Sequence, residues 1–418
     1  MNAAIQYFDP MPSPRRILLA DADAFYVAVA RMIDPDGAGR AELLIVGGTR
    51  ESRGVVCSAS YETRKFGVRS AMPISRALRL CPQAMCVPVP RGACSRKHRE
   101  IRAVLDRFAP VVESASIDEW YMDLGGTEAL YHNEPLAETA RRMREAVRDE
   151  TQISVSIGAG TSKLVAKLAV ERAKPKPGTG ATGVHVVEPG QEGEFLATFS
   201  LAELPLVGPR FQERLAKLGM NTVRDVLPYD AVTLCRWLGE REGEWLYRRV
   251  RGIDQSDVES RGEAKSISRD ETFAEDIASD DDLHRELLAL VTRAASDLRA
   301  DGLTARTITV RIRDFDFRTR SAARTLPRGV IADRVIHAVA KSLLAKLRAS
   351  RRVPARLLGV ALSALAPDPD ADQLALFESA TEKDDETARD RALVRAVDRL
   401  RDKFGTDGIV PARLANED

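Results

Sequence analysis

Asp21 and Asp23 close a short apolar run, Ile17-Leu18-Leu19-Ala20, and far downstream Ser116-Ile117-Asp118-Glu119 sets two adjacent acids behind another β-like segment. Acids at strand ends are a common way to build a metal site. Their oxygens suit a hard ion such as Mg²⁺, and phosphoryl transfer uses two such ions about 3.5–4 Å apart to stabilise the attacking and leaving oxygens. Three carboxylates suffice as anchors, although ordinary turn acids fit the same spacing. Tyr61-Glu62-Thr63-Arg64-Lys65 and Lys174 add a hydroxyl and cations of the kind that bind triphosphate oxygens, Arg as a planar fork and Lys as a point charge. Taken singly, each also fits a solvated surface charge.

The elements that must position these groups are legible in the apolar patterning. A chain of 418 residues, 44% hydrophobic, exceeds the roughly 250–300 residues at which single cores stop growing, so several domains are expected. After a leader over residues 1–14, Ile17–Ala20 and Leu43–Val46 read as buried strands, Ser75–Leu80 and Lys97–Phe108 as helices, and Ile153–Ile157 as a strand by its period of two. The first ~180 residues therefore read as mixed α/β. From about residue 190 to 255 the pattern is helical, with Pro205-Leu206-Val207-Gly208-Pro209 as a tight turn before the amphipathic run Phe211–Leu218. Asp254–Glu263 reads as a linker. A second α+β domain follows, with Arg306–Arg313 alternating as a strand, Val335–Leu347 helical and Leu357–Leu362 a strand. An acidic tail, helical over Asp390–Phe404, ends the chain.

Lys+Arg 63 against Asp+Glu 62 leaves a net charge of +1, which says nothing about a polyanionic partner. The distribution says more. Arg299–Arg356 holds fifteen basic residues against four Asp, net +11, whereas Asp368–Asp418 holds eight against fourteen, net −6. A nucleic-acid face followed by a solvated tail is one reading, and scattered surface Arg is the other. Cys57, Cys81, Cys86, Cys94 and Cys235 form no Cys-x-x-Cys pair and share no zinc spacing with the five His, so reduced thiols are expected. No apolar run approaches the ~18 residues of a membrane span, and Asp9, Pro10, Pro12 and Pro14 interrupt any signal-type segment. A cytoplasmic location follows.

Four ordered strings carry a family resemblance: Asp21-Ala22-Asp23-Ala24-Phe25-Tyr26, Ser58–Val68, Ser116–Glu119, and Lys163-Leu164-Val165-Ala166-Lys167 leading to Lys174-Pro175. They resemble the signatures of Y-family DNA polymerases, the bacterial DNA polymerase IV group among them, over roughly residues 15–365. The resemblance implies an α+β multidomain right hand: a ferredoxin-like palm (15–24 and 88–180), small fingers (25–87), a helical thumb with a helix-hairpin-helix (181–253), a linker (254–265), an α+β little finger (266–365) and a tail (366–418). It further implies template-directed, low-fidelity addition of deoxynucleotides to a primer 3′ end past damaged template bases, with two Mg²⁺ ions that Mn²⁺ can replace.

Carried over residue by residue, Asp21, Asp118 and Glu119 are the implied catalytic metal ligands, joined by the Ala22 carbonyl. Tyr61, Arg64 and Lys174 would hold the triphosphate, with Ser58 and Phe25 nearby. Tyr26 stands where the family places an aromatic gate against a ribose 2′-hydroxyl, though a core aromatic fits the same position. Cys57 would line the nascent base pair, though an inert buried thiol also fits. Gly208 of the thumb turn and Arg306, Arg311 and Arg313 of the little finger are implied DNA contacts. Gln373-Leu374-Ala375-Leu376-Phe377 resembles the peptide that bacterial sliding clamps recognise, giving primer–template DNA, deoxynucleoside triphosphates and the clamp as partners of a monomer.

Three residues depart from the family pattern. Ala30 stands where many relatives carry Glu, Trp120 follows the acid pair where a small residue is usual, and Leu206 replaces the first Gly of the thumb turn. Two rival functions are a catalytically inactive, polymerase-like accessory DNA-binding protein and a structure-specific DNA binder built on the helical hairpin. Retention of all three acids argues against the first. The triphosphate-type residues would have no purpose in the second.

Overall fold

The computed structural model describes residues 14–50, 53–175, 180–260, 264–368, 386–405 and 408–414. They fall into two compact units that divide between Gly262 and Glu263, with a short piece around Arg53 grouped with the second. In the first unit the chain runs β1 (Ile17–Ala22), α1 (Phe25–Ile33), β2 (Leu44–Val46), β3 (Ser58–Ala59), α2 (Tyr61–Lys65), α3 (Ile74–Leu80), β4 (Met85–Val87) and α4 (Arg91–Leu105). It continues through β5 (Val111–Ser114), β6 (Glu119–Asp123), α5 (Leu136–Thr151), β7 (Val155–Gly160), α6 (Lys163–Ala173) and β8 (Val184–Val186). Short helices follow: α7 (Glu192–Leu196), α8 (Pro209–Lys217), α9 (Val223–Val226), α10 (Ala231–Leu238) and α11 (Glu240–Arg249).

The larger sheet has the order β5-β6-β1-β7-β8, antiparallel throughout except for the parallel pair β7 and β8. The path β1-α4-β5-β6-α5-β7 in that order is the ferredoxin-like arrangement. β1 is central and buried along its length, which is why it is apolar until Asp21. Leu18, Ala20 and Ala22 pack with Phe25, Ile101 and Met143 on one side, while Ile17 and Leu19 meet Ala166 and Val170 of α6 on the other. Side chains alternate along a strand, so Asp21 belongs to the α6 side. α6 lies close because β7 carries Gly158 beneath it: a Cβ there would sit 2.1 Å from the Val170 nitrogen and 2.4 Å from the Ala166 oxygen.

A small sheet, β3-β2-β4, packs Ile45 and Ala59 on Val68, Ile74 and Ala77. Ser60 caps α2 by accepting from the Thr63 N–H, which starts a helix at Tyr61 and sets Arg64 one turn on. The helical segment builds its own core from Leu201, Leu204, Val207, Leu215, Val226 and Leu246. The expected linker is not free chain: Val258 is buried against Ile17 and Leu19, Asp254 accepts from the Leu164 N–H at 3.1 Å, and the Glu259 N–H donates to Glu113 at 2.9 Å.

In the second unit β9 (Ser266–Ile277), α12 (Asp280–Ala300), β10 (Leu303–Asp314), β11 (Thr319–Val330), α13 (Asp333–Ser350) and β12 (Ala355–Pro367) precede α14 (Ala388–Phe404). The antiparallel sheet, ordered β11-β10-β12-β9, buries Ile308, Val310 and Leu358 against Leu287, Val291 and Val339 of α12 and α13. The expectation of a solvated tail is corrected here. α14 places Val394 in this core and its acids on the basic stretch, Asp398 on Arg299 at 2.5 Å and Asp390 on Arg334 at 2.8 Å. Part of the net +11 is thus spent internally, since Arg348 also pairs with Asp280 at 2.6 Å, while Arg320 is held by the buried Asp314 at 2.8 Å, an acid already counted in that net charge. No helix among the described residues is long and apolar enough to cross a membrane.

Candidate active site

β1 delivers Asp21 to its C-terminal end, and Ala24 then turns the chain at φ +46 into α1. A left-handed non-glycine residue costs roughly 1–2 kcal/mol, and the tight reversal sets Tyr26 beside the strand end. Pairing with β6 supplies the other acids, because Glu119 is the register partner of Asp21 and the Ala22 N–H donates to the Asp118 carbonyl at 2.9 Å. Ser116 donates to the Asp118 carboxylate. His98 of α4 braces the approach from below, 2.9 Å from the Ile117 carbonyl and 3.3 Å from Ser114 Oγ. Asp23 takes no part in this cluster, since Ser154 and Ser156 donate to its two oxygens at 2.9 and 2.8 Å.

One cleft of about 250 Å³ is lined by Asp21, Ala22, Phe25, Tyr26, Cys57, Ser58, Tyr61, Arg64, Asp118, Glu119 and Lys174, together with Ala24 and Ser70. Every residue nominated from the sequence for metal or nucleotide therefore faces one space. Arg64 lies 5.0 Å over the Tyr61 ring, and its Nε donates to the Ala59 carbonyl at 2.9 Å, which fixes the direction of the fork. Burial, aided by Asp23, raises the Tyr61 phenol above its ordinary value and keeps it a donor. Tyr26 is raised by burial and then by Asp118. Phe25 is 2% exposed, so most of its surface belongs to the core, edge-on to Tyr26 at 5.8 Å between ring centres.

Two lysines of the α6 side enter the acid cluster. Lys174 Nζ lies 2.9 Å from Asp21 Oδ2 and 2.6 Å from Glu171, while Lys167 contacts Glu119 and lies 3.7 Å from Asp21. Burial pushes Asp21 up to about 6, against the pull of Lys174 and Lys167. Lys174 is drawn down by burial, but Asp21 and Glu171 win and hold it above the ordinary ammonium value. Among the described residues no three Asp, Glu, His or Cys converge closely enough to hold an ion as they stand. The donor set is nevertheless all oxygen, which suits Mg²⁺, and ammonium groups already sit where cations are favoured.

The three departures have local explanations. Ala30 is 3% exposed against Ala38, Leu44 and Val46, a setting in which a Glu would be a buried charge. Trp120 is fully buried in the sheet core and stacks on His98 at 5.1 Å, so its bulk packs and does not reach the cleft. Leu206 takes φ +71 and is 81% exposed, keeping the glycine-type turn at the cost of strain. Gly208, which N-caps α8, has open space around it. All five cysteines are free, and burial raises the Cys57 thiol. Of the three strand arginines, Arg311 and Arg313 share the open sheet face. Arg306 sits at a β-bulge on the other parity and donates to the Leu326 carbonyl at 3.2 Å, so it does not join them. Gln373, Leu374, Leu376 and Phe377 lie outside the described residues.

Residues 20–171 match the impB/mucB/samB family, residues 264–376 its C-terminal domain, and residues 202–254 the thumb domain of DNA polymerase-iota. DNA polymerase IV of Desulfatibacillum aliphaticivorans is 36% identical over 402 residues, covering 96% of this chain and 97% of that one. The chain belongs to the DNA polymerase IV family. DNA polymerase IV of Halorhodospira halophila agrees, at 37% identity over 84% of this chain and 96% of its own. A chimeric Y-family DNA polymerase has the same fold, with a TM-score of 0.71 at 24% identity over 84% of this chain and 99% of that one. DinB from Sulfolobus solfataricus gives 0.55 at 27% over 83% and 98%. The family's activity is DNA-directed DNA polymerisation in translesion synthesis, with a divalent metal, and none of these comparisons favours an inactive relative.

Proposed function

We propose that the cleft adds deoxynucleotides to a primer 3′-hydroxyl by in-line attack on the α-phosphate, releasing pyrophosphate. The observation that carries this reading is the convergence of the acid pair, Asp21, Tyr61, Arg64 and Lys174 on one space. Asp21, Asp118, Glu119 and the Ala22 carbonyl would hold two Mg²⁺ ions, or Mn²⁺ in their place, which when bound supply charge neutralisation to the attacking and leaving oxygens. Tyr61, Arg64 and Lys174 bind and orient the triphosphate. Tyr26 fills the space of a 2′-hydroxyl, and the small side chains of Cys57 and Ser58 leave room for a distorted base pair. Rate arises from positioning and preorganised charge. In this reading residues 15–24 and 88–180 are the palm, 25–87 the fingers, 181–253 the thumb and 266–365 the little finger, acting as a monomer.

Primer extension tests it. Elongation by the full chain is expected with Mg²⁺ and absent in chelator, and a loaded sliding clamp should stimulate the parent but not a Leu376→Ala, Phe377→Ala variant. Elongation in chelator would overturn the metal reading, and equal stimulation the clamp reading.

Thumb contact would come from the Arg210 N–H at the α8 terminus, since Pro209 has none and Phe211 and Gln212 donate to the Gly208 carbonyl, and little-finger contact from the open sheet face. Arg311→Ala with Arg313→Ala should weaken DNA binding and lower its log–log salt slope, by up to about 0.9 per lost phosphate contact. Arg306→Ala should change the slope little, because its guanidinium serves the bulge. Binding titrations across salt concentration decide this, and an unchanged slope in the double variant removes the sheet face from the interface.

A further inference from the structure

Lys174 has a role in the reading above, but Lys167 has none. Its ammonium contacts Glu119 Oε1 and lies 3.7 Å from Asp21 Oδ2, with its side chain 26% exposed. Lys167 leaves α6 midway and Lys174 is the residue that ends it, and both ammonium groups reach the strand end that carries Asp21. Lys163, on the same helix, serves elsewhere: it pairs with Glu113 at 2.5 Å and lies 5.3 Å from the Tyr121 ring centre. Only Lys167 and Lys174 reach Asp21 or Glu119 through an ion pair among the described residues.

We propose that Lys167 is the resting counter-ion of the acid cluster, holding Glu119 and Asp21 together before a divalent ion arrives and yielding Glu119 to that ion. This rests on the reading of Asp21 and Glu119 as metal ligands. Register pairing of β1 and β6 forces the two carboxylates together, and like charges so placed repel unless a cation lies between them. An ammonium supplied by the chain does this without a metal. A group bound to the empty site and expelled from the loaded one lowers the apparent affinity for the ion by the strength of its own attachment. The consequence is a site that is assembled at rest yet resists idle metal. Metal entering with a nucleotide fares better, because the triphosphate adds charge of the sign the lysines seek: Lys174 can exchange Asp21 for phosphate oxygens while Lys167 leaves Glu119. Lys167 is thus a positioning residue, with no contact to the reacting atoms.

Mn²⁺ is the probe, with free ion read by electron paramagnetic resonance on the full chain without nucleotide or DNA. Lys167→Met is expected to bind Mn²⁺ about tenfold more tightly than the parent, within the 5–150-fold range of coupled sites. It should also unfold at lower temperature in chelator and recover on adding Mn²⁺. Lys167→Arg should stay near the parent in both measurements, and Lys163→Met should leave Mn²⁺ affinity unchanged. Lys167→Gln carries the same test if the Met variant does not fold. Equal Mn²⁺ affinity in parent and Lys167→Met overturns the proposal, as does an equal gain in Lys163→Met, which would mark a general charge effect. Asp21→Asn separates the two levels. If it abolishes Mn²⁺ binding while Lys167→Met changes nothing, the ligands stand and the counter-ion role falls; if it has no effect on the Mn²⁺ bound by Lys167→Met, the ligand reading falls as well.

Discussion

Replacing Asp118 and Glu119 together with Ala is expected to lower nucleotide addition by about a thousandfold or more while primer–template binding stays near the parental level. The size follows from the several kcal/mol of transition-state charge stabilisation that metal ions supply, at about 1.36 kcal/mol per factor of ten in rate. The fold should tolerate the change. Asp118 holds the strand end through its backbone carbonyl, which accepts the Ala22 N–H and survives in Ala. Glu119 pairs in register with Asp21 through the main chain, and loss of its carboxylate frees Lys167. Neither acid belongs to the open sheet face of the second unit or to the α8 terminus, where the duplex is expected to be gripped. Single-turnover extension at saturating DNA, beside a binding titration, makes the comparison. Parental extension by the double variant would remove both acids from the metal site, and a matching loss of DNA binding would show that they act on the duplex instead.

The acids, the Tyr61–Arg64 pair and Lys174 could be nominated because they stand in four ordered strings that resemble the family's signatures, whereas their chemistry alone also fits turn acids and surface charges. The structure adds that all face one cleft. Lys167 was legible as part of a motif but not as an ion-pair partner, because a helical lysine reveals its acid only when strand parity and the close α6 approach over Gly158 are known. Counting charge misjudged the second unit. Net charge does not record partners, and Arg299, Arg334 and Arg348 are held by Asp398, Asp390 and Asp280, acids of the same unit that lie outside the counted stretch. The edge strands β9 and β11 escaped notice for a related reason. β11 reads Thr-Arg-Ser-Ala-Ala-Arg-Thr-Leu-Pro-Arg-Gly-Val, with a proline and scattered charges, the composition that keeps an edge from pairing with other chains and erases the alternation that marks a buried strand.

Tyr26→Ala is expected to raise ribonucleotide use relative to deoxynucleotide use by about ten- to a hundredfold. Tyr26 is the second residue of α1, just after the left-handed turn at Ala24, and its ring lines the cleft near Cys57 and Asp118. Its backbone is fixed by that turn, and its ring is backed by Phe25 at 5.8 Å and by the apolar cluster around Leu44 and Val46. A ring so supported cannot retreat from an added hydroxyl, and overpacking of this sort costs about 1–3 kcal/mol, or roughly five- to 150-fold in rate. Truncation to Ala removes the obstacle for the ribonucleotide, while a deoxynucleotide loses only packing against its sugar. Tyr26→Phe separates ring from hydroxyl: it should discriminate as the parent does, because the phenol oxygen is not what fills the space. The measurement is kcat/KM for matched ribo- and deoxynucleoside triphosphates on one primer–template, with the thermal midpoint of each variant recorded. If Tyr26→Ala keeps the parental ratio with its fold intact, the ring is packing for α1 and the sugar is selected elsewhere in the cleft.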